Sequence, residues 1–155
     1  MTNTMIRIYR PRADLPHVIR LIREELAPLS ANPVKRDALS RRKLAARLAH
    51  GKVFVAADSR SAPPDGFIHV MTAHGMLQLD MLAVRPERRG RRLGARLMAQ
   101  AESYGLSQGC RAARLYVDDT NDRAQRFYAR SGYRHARYLS DLRCYEMVKP
   151  LLAYQ

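Results

Sequence analysis

Residues 77–104 read LQLDMLAVRPERRGRRLGARLMAQAESY, and the rest of the chain is organised around them. The stretch opens as an apolar run, Leu77 to Val84, of strand length and strand-compatible composition. Pro86 has no N–H to give to a ladder and biases Arg85 toward an extended shape, so the strand ends there. From Glu87 to Gly94 the chain is dense in arginine and glycine. Leu93, Leu97, Ala101 and Tyr104 then recur at helical spacing, which predicts a helix from about Leu93. A helix N-terminus offers free backbone N–H groups and the positive end of the peptide dipoles. With Gly90 and Gly94 letting the backbone come close, the unit forms a cradle for an anion such as a pyrophosphate. A basic loop of this kind is also found as a solvated surface or a nucleic-acid patch. The apolar strand before it and the amphipathic helix after it favour the cradle.

A chain of 155 residues suits one domain, 1–155, with a real core, and a hydrophobic content of 46 % is ordinary for a globular protein. No apolar run is long enough to span a bilayer, and the N-terminus lacks a signal-peptide core, so no membrane partner and a cytoplasmic location are expected. Cys110 and Cys144 form no CxxC pair and read as reduced and structural; no His/Cys/Asp cluster has metal-ligand spacing, so no metal is expected. Net charge is +14, from 28 Lys+Arg against 14 Asp+Glu. Such a field attracts polyanions and acidic partners without naming one.

In chain order, Met5–Tyr9 alternates as a strand. Asp14 reads as an N-cap, with Pro16 in the first turn of a helix reaching about Leu26. Asn32-Pro33 opens a second helix, which runs to about His50 with Gly51 as its cap. That helix carries Lys35, Arg36, Arg41, Arg42, Lys43 and Arg47. Strands follow at 52–57 and 66–72, the loop between them holding Pro63-Pro64; His74-Gly75 then turns into the central strand. Gly105 and Gly109 end the central helix. Residues 111–117 form a strand with Ala113, Leu115 and Val117 on one face. Asn121 caps a helix to about Ser131, and 133–139 with 143–148 make a closing hairpin. The order is β-α-α-β-β-β-α-β-α-β-β. It implies an α/β (α+β) fold with a mixed, mostly antiparallel six- to seven-stranded sheet and helices on both faces.

Two motifs carry a family resemblance. Val84-x-Pro86-Glu87-x-Arg89-Gly90-x-Arg92-Leu93-Gly94-x-x-Leu97 resembles the acetyl-CoA signature of the GNAT (Gcn5-related) N-acetyltransferases, Gln/Arg-x-x-Gly-x-Gly/Ala. Arg92 stands where the middle glycine is usual. It is harmless if its side chain points to solvent, where it would add a charge for the 3′-phosphate of CoA. Asn121-x-x-Ala124-x-x-Phe127-Tyr128-x-x-x-Gly132-Tyr133 is similar to the second signature of the family. Both occur in the family's order at strand–helix junctions, and the element order matches the GNAT fold over the whole chain.

The resemblance implies an acetyl-CoA-dependent N-acetyltransferase that transfers acetyl to a primary amine of a small molecule or protein by direct attack in a ternary complex. It implies that backbone groups of Leu82, Ala83 and Val84 hold the CoA arm as an added strand, with the Leu82 N–H as oxyanion donor. It places the pyrophosphate on Arg89, Gly90, Arg91, Arg92, Leu93, Gly94 and Ala95. Asn121 touches the CoA arm, and Tyr128 is the general acid for the departing sulfur, a phenol of pKa ~10 being protonated at pH 7. It also implies a homodimer through the C-terminal strands, and an acceptor site bordered by the segment that joins the first two helices, whose basic rim points to an acidic or phosphate-bearing acceptor.

The general base is open. Where some family members carry Glu on the fourth or fifth strand, this chain has Gln78 and Tyr116. Asp80 is the strongest remaining carboxylate, because Asp inside a strand needs a reason, and by parity it shares a face with Gln78 and Leu82. A structural hydrogen bond is the competing reason. Glu146, His69, His74 and a water relay are the other candidates. Two rival functions fit the same fold: a non-catalytic acyl-CoA sensor, and a basic nucleic-acid- or ribosome-associated module, with nucleic acid the less expected partner.

Overall fold

The computed structural model describes residues 3–29 and 36–152. Seven strands form one sheet: β1 (Met5–Ile8), β2 (Lys52–Ala57), β3 (Gly66–Ala73), β4 (Met76–Val84), β5 (Ala112–Asp118), β6 (Arg134–Leu139) and β7 (Cys144–Pro150). Their spatial order is β1-β2-β3-β4-β5-β7-β6. The β4–β5 pair is parallel; the other five are antiparallel. Helices α1 (Pro11–Leu21), α2 (Arg41–Ala49), α3 (Leu93–Ser107) and α4 (Asp122–Arg130) cover it. Two apolar clusters show the layering. Leu15, Val18 and Ile19 of α1 and Leu44 and Leu48 of α2 pack on Val53, Val55, Phe67, Met81 and Ala83. Leu93, Leu97 and Ala101 of α3 pack on Ile68, Val70, Leu77, Leu79, Leu115 and Met147, with Phe127 and Tyr128 of α4 beside them.

Local chemistry explains where the elements start. Helix α1 begins at Pro11, whose missing N–H is free of cost in a first turn. Asp14 is therefore one turn inside the helix and not its cap. It accepts from the Arg10 N–H at 2.8 Å and is paired by the Arg7 guanidinium of β1 at 2.8 and 2.9 Å. Burial pushes its carboxyl up, but the Arg7 and Arg10 contacts outweigh this and hold it below the usual range. One π-type turn, Ile22–Leu26, extends the helix to the expected Leu26. The Asn32-Pro33 start lies outside the described residues; α2 starts at Ser40, whose hydroxyl accepts from the Lys43 N–H. The central helix runs through Gly105, which faces Leu77: a Cβ there would lie 3.0 Å from a Leu77 methyl. Small size, not helix breaking, is what this glycine supplies. Cys110 and Cys144 are free and buried.

Gly51, just past α2, has φ +83, and an added Cβ would stand 2.2 Å from the Val70 carbonyl oxygen. Both the left-handed backbone and the close approach to β3 demand glycine. Gly51→Ala is expected to cost about 3 kcal/mol and to lower Tm by about 10 °C in thermal unfolding.

Candidate active site

The parallel pairing of β4 and β5 covers three positions: Met76 with Ala112, Leu77 with Ala113, and Gln78 with Arg114. Beyond them the strands part, although β4 continues to Val84 and β5 to Asp118. The cause lies two residues past the last pair. The β3–β4 register runs Val70↔Leu79 and then His69↔Met81, so Asp80 is the extra residue of a β-bulge. A bulge bends its strand and increases the local twist, which carries β4 away from β5. The bulge also resets side-chain parity. Asp80 and Met81 both face α2, while Leu82 turns to the α3 side. Asp80 therefore does not share a face with Leu82, as simple alternation had implied.

The opening exposes β4 backbone. The Arg85 N–H donates to the Asp65 carbonyl at 2.8 Å, at the start of β3. Peptide groups alternate along a strand, so Ala83 also turns to β3, and the N–H groups of Leu82 and Val84 turn toward the gap. Of the three backbone positions expected to hold an extended ligand, Ala83 is thus committed to the sheet. The Val84 carbonyl, on the gap side, accepts from Arg89 Nε at 3.2 Å.

At the wide end of the gap lies the basic loop. Pro86–Arg88 form one 3-10 turn, and α3 starts at Leu93 without a side-chain cap or an acidic residue in its first turn. The first-turn N–H groups of Leu93, Gly94 and Ala95 are therefore without helical partners. Arg92, at φ +61 and ψ 21, holds the left-handed conformation that the usual glycine of this position would adopt freely. Arg91 and Arg92 are exposed, and their side chains make no hydrogen bond or ion pair among the described residues. Gly90, at φ +79, has open space where a Cβ would go, so its requirement is backbone freedom. Gly94 differs: a Cβ there would meet the Phe127 ring at 3.1 Å, so its small size seats α3 against α4. Arg89 is not free; it pairs with Glu25 from the turn that follows α1.

Across the gap, the Asn121 side chain caps α4 by accepting the Ala124 N–H at 3.2 Å. Tyr128 packs edge-on against Phe127 and Tyr133, with centroids 5.4 and 6.1 Å apart. Its hydroxyl has no hydrogen-bond partner among the described residues, and burial pushes the phenol up to about 12.

Asp80 is fully engaged. Its two oxygens take a bidentate pair from Arg47 at 2.7 and 2.8 Å, and one also contacts His69 Nδ1 at 2.7 Å. Burial pushes its carboxyl up, yet the His69 and Arg47 contacts outweigh that and bring it down from 3.8 to about 2. Such a carboxylate has little affinity for a proton at neutral pH, which argues against the base role expected for Asp80. His69 is fully buried, and its Nε2 meets the His50 carbonyl. Both ring nitrogens thus face oxygen atoms, one from a carboxylate and one from a backbone carbonyl. A different carboxylate stands on β7, beside Tyr116 of β5. Glu146 Oε2 accepts from the Tyr116 hydroxyl at 3.2 Å, and its Oε1 from Arg137 Nε at 3.3 Å. Beside it, Arg114 Nε donates to Gln78 at 2.8 Å. Asp80 inside a strand is itself a signal of a structural hydrogen bond, although its partners Arg47 and His69 are not marked; the bulge and the Glu25–Arg89 pair have no sequence signal, and the Tyr116–Glu146 pairing requires the hairpin register. Among the described residues no group of His, Cys, Asp and Glu could hold a metal ion, and no helix is long and apolar enough to cross a membrane.

The family model described as "Acetyltransferase (GNAT) family" matches residues 21–133. The chain belongs to this family. GNAT acetyltransferases use acetyl-CoA as acyl donor. An uncharacterized N-acetyltransferase of Archaeoglobus fulgidus is 46 % identical over 52 residues, 34 % of this chain and 35 % of that protein. The match thus spans about a third of the length of that curated relative. The PaiA N-acetyltransferase of Thermoplasma acidophilum, solved in complex with coenzyme A, superposes with a TM-score of 0.81 at 22 % identity, covering 96 % of this chain and 99 % of that one. Ard1 of Thermoplasma volcanium gives 0.79 at 23 % identity over 97 % and 99 % of the two chains. At these identities both likenesses speak for the fold.

Asp80 titrates lower in the folded chain than in the unfolded one, so its stabilising effect is full above pH ~4 and is lost as pH falls toward 2. Asp80→Ala, which strands Arg47 and the buried His69, is expected to cost about 3 kcal/mol at pH 7, read as a shifted urea midpoint. The difference from the parent protein should shrink below pH 3.

Proposed function

We propose that this GNAT member transfers acetyl from acetyl-CoA to a primary amine by direct attack in a ternary complex. The observation that carries the reading is the parting of β4 from β5 after Gln78, where strand alternation turns the N–H groups of Leu82 and Val84 toward a gap that leads to the uncapped start of α3. An extended pantetheine-type arm is completed by such an edge as an added strand, and a pyrophosphate by free first-turn N–H groups with Arg91 and Arg92 beside them. The residues present therefore fit acetyl-CoA, which when bound supplies an activated thioester. Arg89 joins the cradle once its contact with Glu25 is exchanged for phosphate. The amide side chain of Asn121 lines the arm.

The chain's own groups then divide the work. The Leu82 N–H donates to the reacting carbonyl oxygen. Tyr128 donates a hydrogen bond to the leaving sulfur. With its phenol at about 12 it stabilises developing thiolate charge and keeps its own proton, since a thiol of pKa ~8.5 is the stronger acid. An amine of pKa ~10 arrives as ammonium and must lose a proton first. That proton passes by way of the Tyr116 oxygen to Glu146, whose Oε2 accepts from the Tyr116 hydroxyl. A homodimer through the C-terminal strands remains part of the proposal, since β6 ends the sheet with a free outer edge; a concentration-independent monomer mass by light scattering removes it.

Calorimetric titration is expected to give micromolar acetyl-CoA binding that weakens with dephospho-CoA and with salt. Absence of binding by folded protein overturns the reading. In a free-thiol release assay over primary amines, Tyr128→Phe and Glu146→Gln are each expected to lower kcat about 10²-fold with the acetyl-CoA Kd unchanged. Because Tyr128 stays protonated, it contributes no loss of rate between pH 7 and 10. Binding without turnover, and no effect of Tyr128→Phe, would favour an acyl-CoA sensor.

A further inference from the structure

The half of the sheet made by β5, β7 and β6 has one face in the core and one outside it. Leu115, Val117 and Met147 lie on the core face, under α3 and α4. The α1 and α2 layer rests on β2, β3 and β4 and takes no residue from β5, β6 or β7. Among the described residues no helix therefore covers the other face. The strand registers arrange its side chains in rows. One row is Arg114–Val148–Arg134; the next is Tyr116–Glu146–Arg137. Asp118 follows at the far end of β5.

The two arginine-bearing rows differ in charge balance. Arg137 is neutralised by Glu146. In the neighbouring row, Arg114 bonds the uncharged Gln78 and lies over the Tyr116 ring at 5.6 Å, while Arg134 is exposed and makes no ion pair among the described residues. Two guanidinium groups thus flank Val148 with no carboxylate between them. Arg114 also belongs to the last β4–β5 pair before the strands part, so this row adjoins the gap.

We propose that the row Arg114–Val148–Arg134 is the binding site for a carboxylate of the acceptor, and that the acceptor is an amine carrying that carboxylate about 7 Å from its nitrogen. This rests on the acetyltransferase reading above and on its assignment of the amine to the Tyr116–Glu146 row. Adjacent same-face rows lie two residues apart along a strand, which is ~7 Å. Arginine forks suit carboxylate geometry, and an apolar Val148 floor keeps the site from hydrating either charge fully. The same row repels an acceptor whose second group is an ammonium. The residues are distinct from the basic face of α2, where Arg47 is spent on Asp80.

The test compares matched acceptors by free-thiol release. The small set is 5-aminovalerate, pentylamine and 1,5-diaminopentane; the peptide set is Ala-Glu, Ala-Gln and Ala-Lys with amidated C-termini. Within the set that matches the natural acceptor, kcat/KM for the carboxylate member is expected to exceed the neutral one at least 10-fold and the cationic one at least 100-fold, with the margin falling as salt rises. Arg114→Gln and Arg134→Gln are each expected to erase most of that margin through KM, leaving the acetyl-CoA Kd unchanged; Arg134 is exposed, so its variant keeps the fold. Preference for the small or the peptide set tells the two sources of the carboxylate apart. Equal or better turnover of the neutral or cationic members overturns the proposal, as does a loss on Arg134→Gln that is the same for all members. Turnover of none of the probes by protein that binds acetyl-CoA overturns the acetyltransferase reading, and this proposal with it.

Discussion

Two strands that start as neighbours and then separate create the candidate site of this molecule. β4 is held to β3 along its length and β5 to β7, so neither can follow the other once the bulge at Asp80 bends β4. Backbone groups that a flat sheet would have consumed are left facing a gap. Unpaired strand edges are a hazard in most proteins, and this one is kept inside the molecule, between two halves of a single sheet. The cradle at the start of α3 lies at the mouth of that gap because β4 leads into it directly through Pro86 and the arginine loop.

The bulge is itself held by charge. Arg47 from α2 and the buried His69 from β3 close on Asp80 from two sides. Holding the Asp80 carboxylate largely out of water is costly, and the cluster is best explained by what it positions: a residue that would otherwise be free to pair in register is locked out of the ladder. Asp80 thus acts through the backbone. Its side chain gives up proton chemistry to hold Leu82 and Val84 on the gap side, and the carboxylate left on the open face comes from another strand, at Glu146.

Much of this was legible in the residues. The β4–loop–α3 unit, the Asn121 cap and the order of elements follow from an apolar run, a proline, glycines and helical spacing, all local effects. The errors have local causes too. Asp14 looks like a cap because its type fits, but Pro11 starts α1 a turn earlier and Arg7, distant from nothing but invisible as a partner, claims the carboxylate. Gly105 reads as a helix end, whereas its role is contact with Leu77. Asp80 reads equally as a base or as a structurally hydrogen-bonded carboxylate, because Asp in a strand demands a reason; the contacts with Arg47 and His69 favour the second, and the bulge beneath them is encoded by no single-strand pattern. Gly94 reads as a ligand contact and turns out to seat Phe127 as well.

Arginine is spent unevenly over the surface. Arg7, Arg47, Arg88 and Arg89 each engage a carboxylate, while among the described residues Arg91 and Arg92 at the cradle and Arg134 on the open sheet face do not. These three are placed where an anionic donor and an anionic acceptor would use them. The most direct test of the whole account is residue-resolved amide hydrogen exchange by NMR with and without CoA. Leu82 and Val84 are expected to exchange freely alone and to gain protection with CoA, while Ala83, already paired to β3, stays protected in both. CoA binding that leaves the Leu82 and Val84 amides unprotected would contradict it.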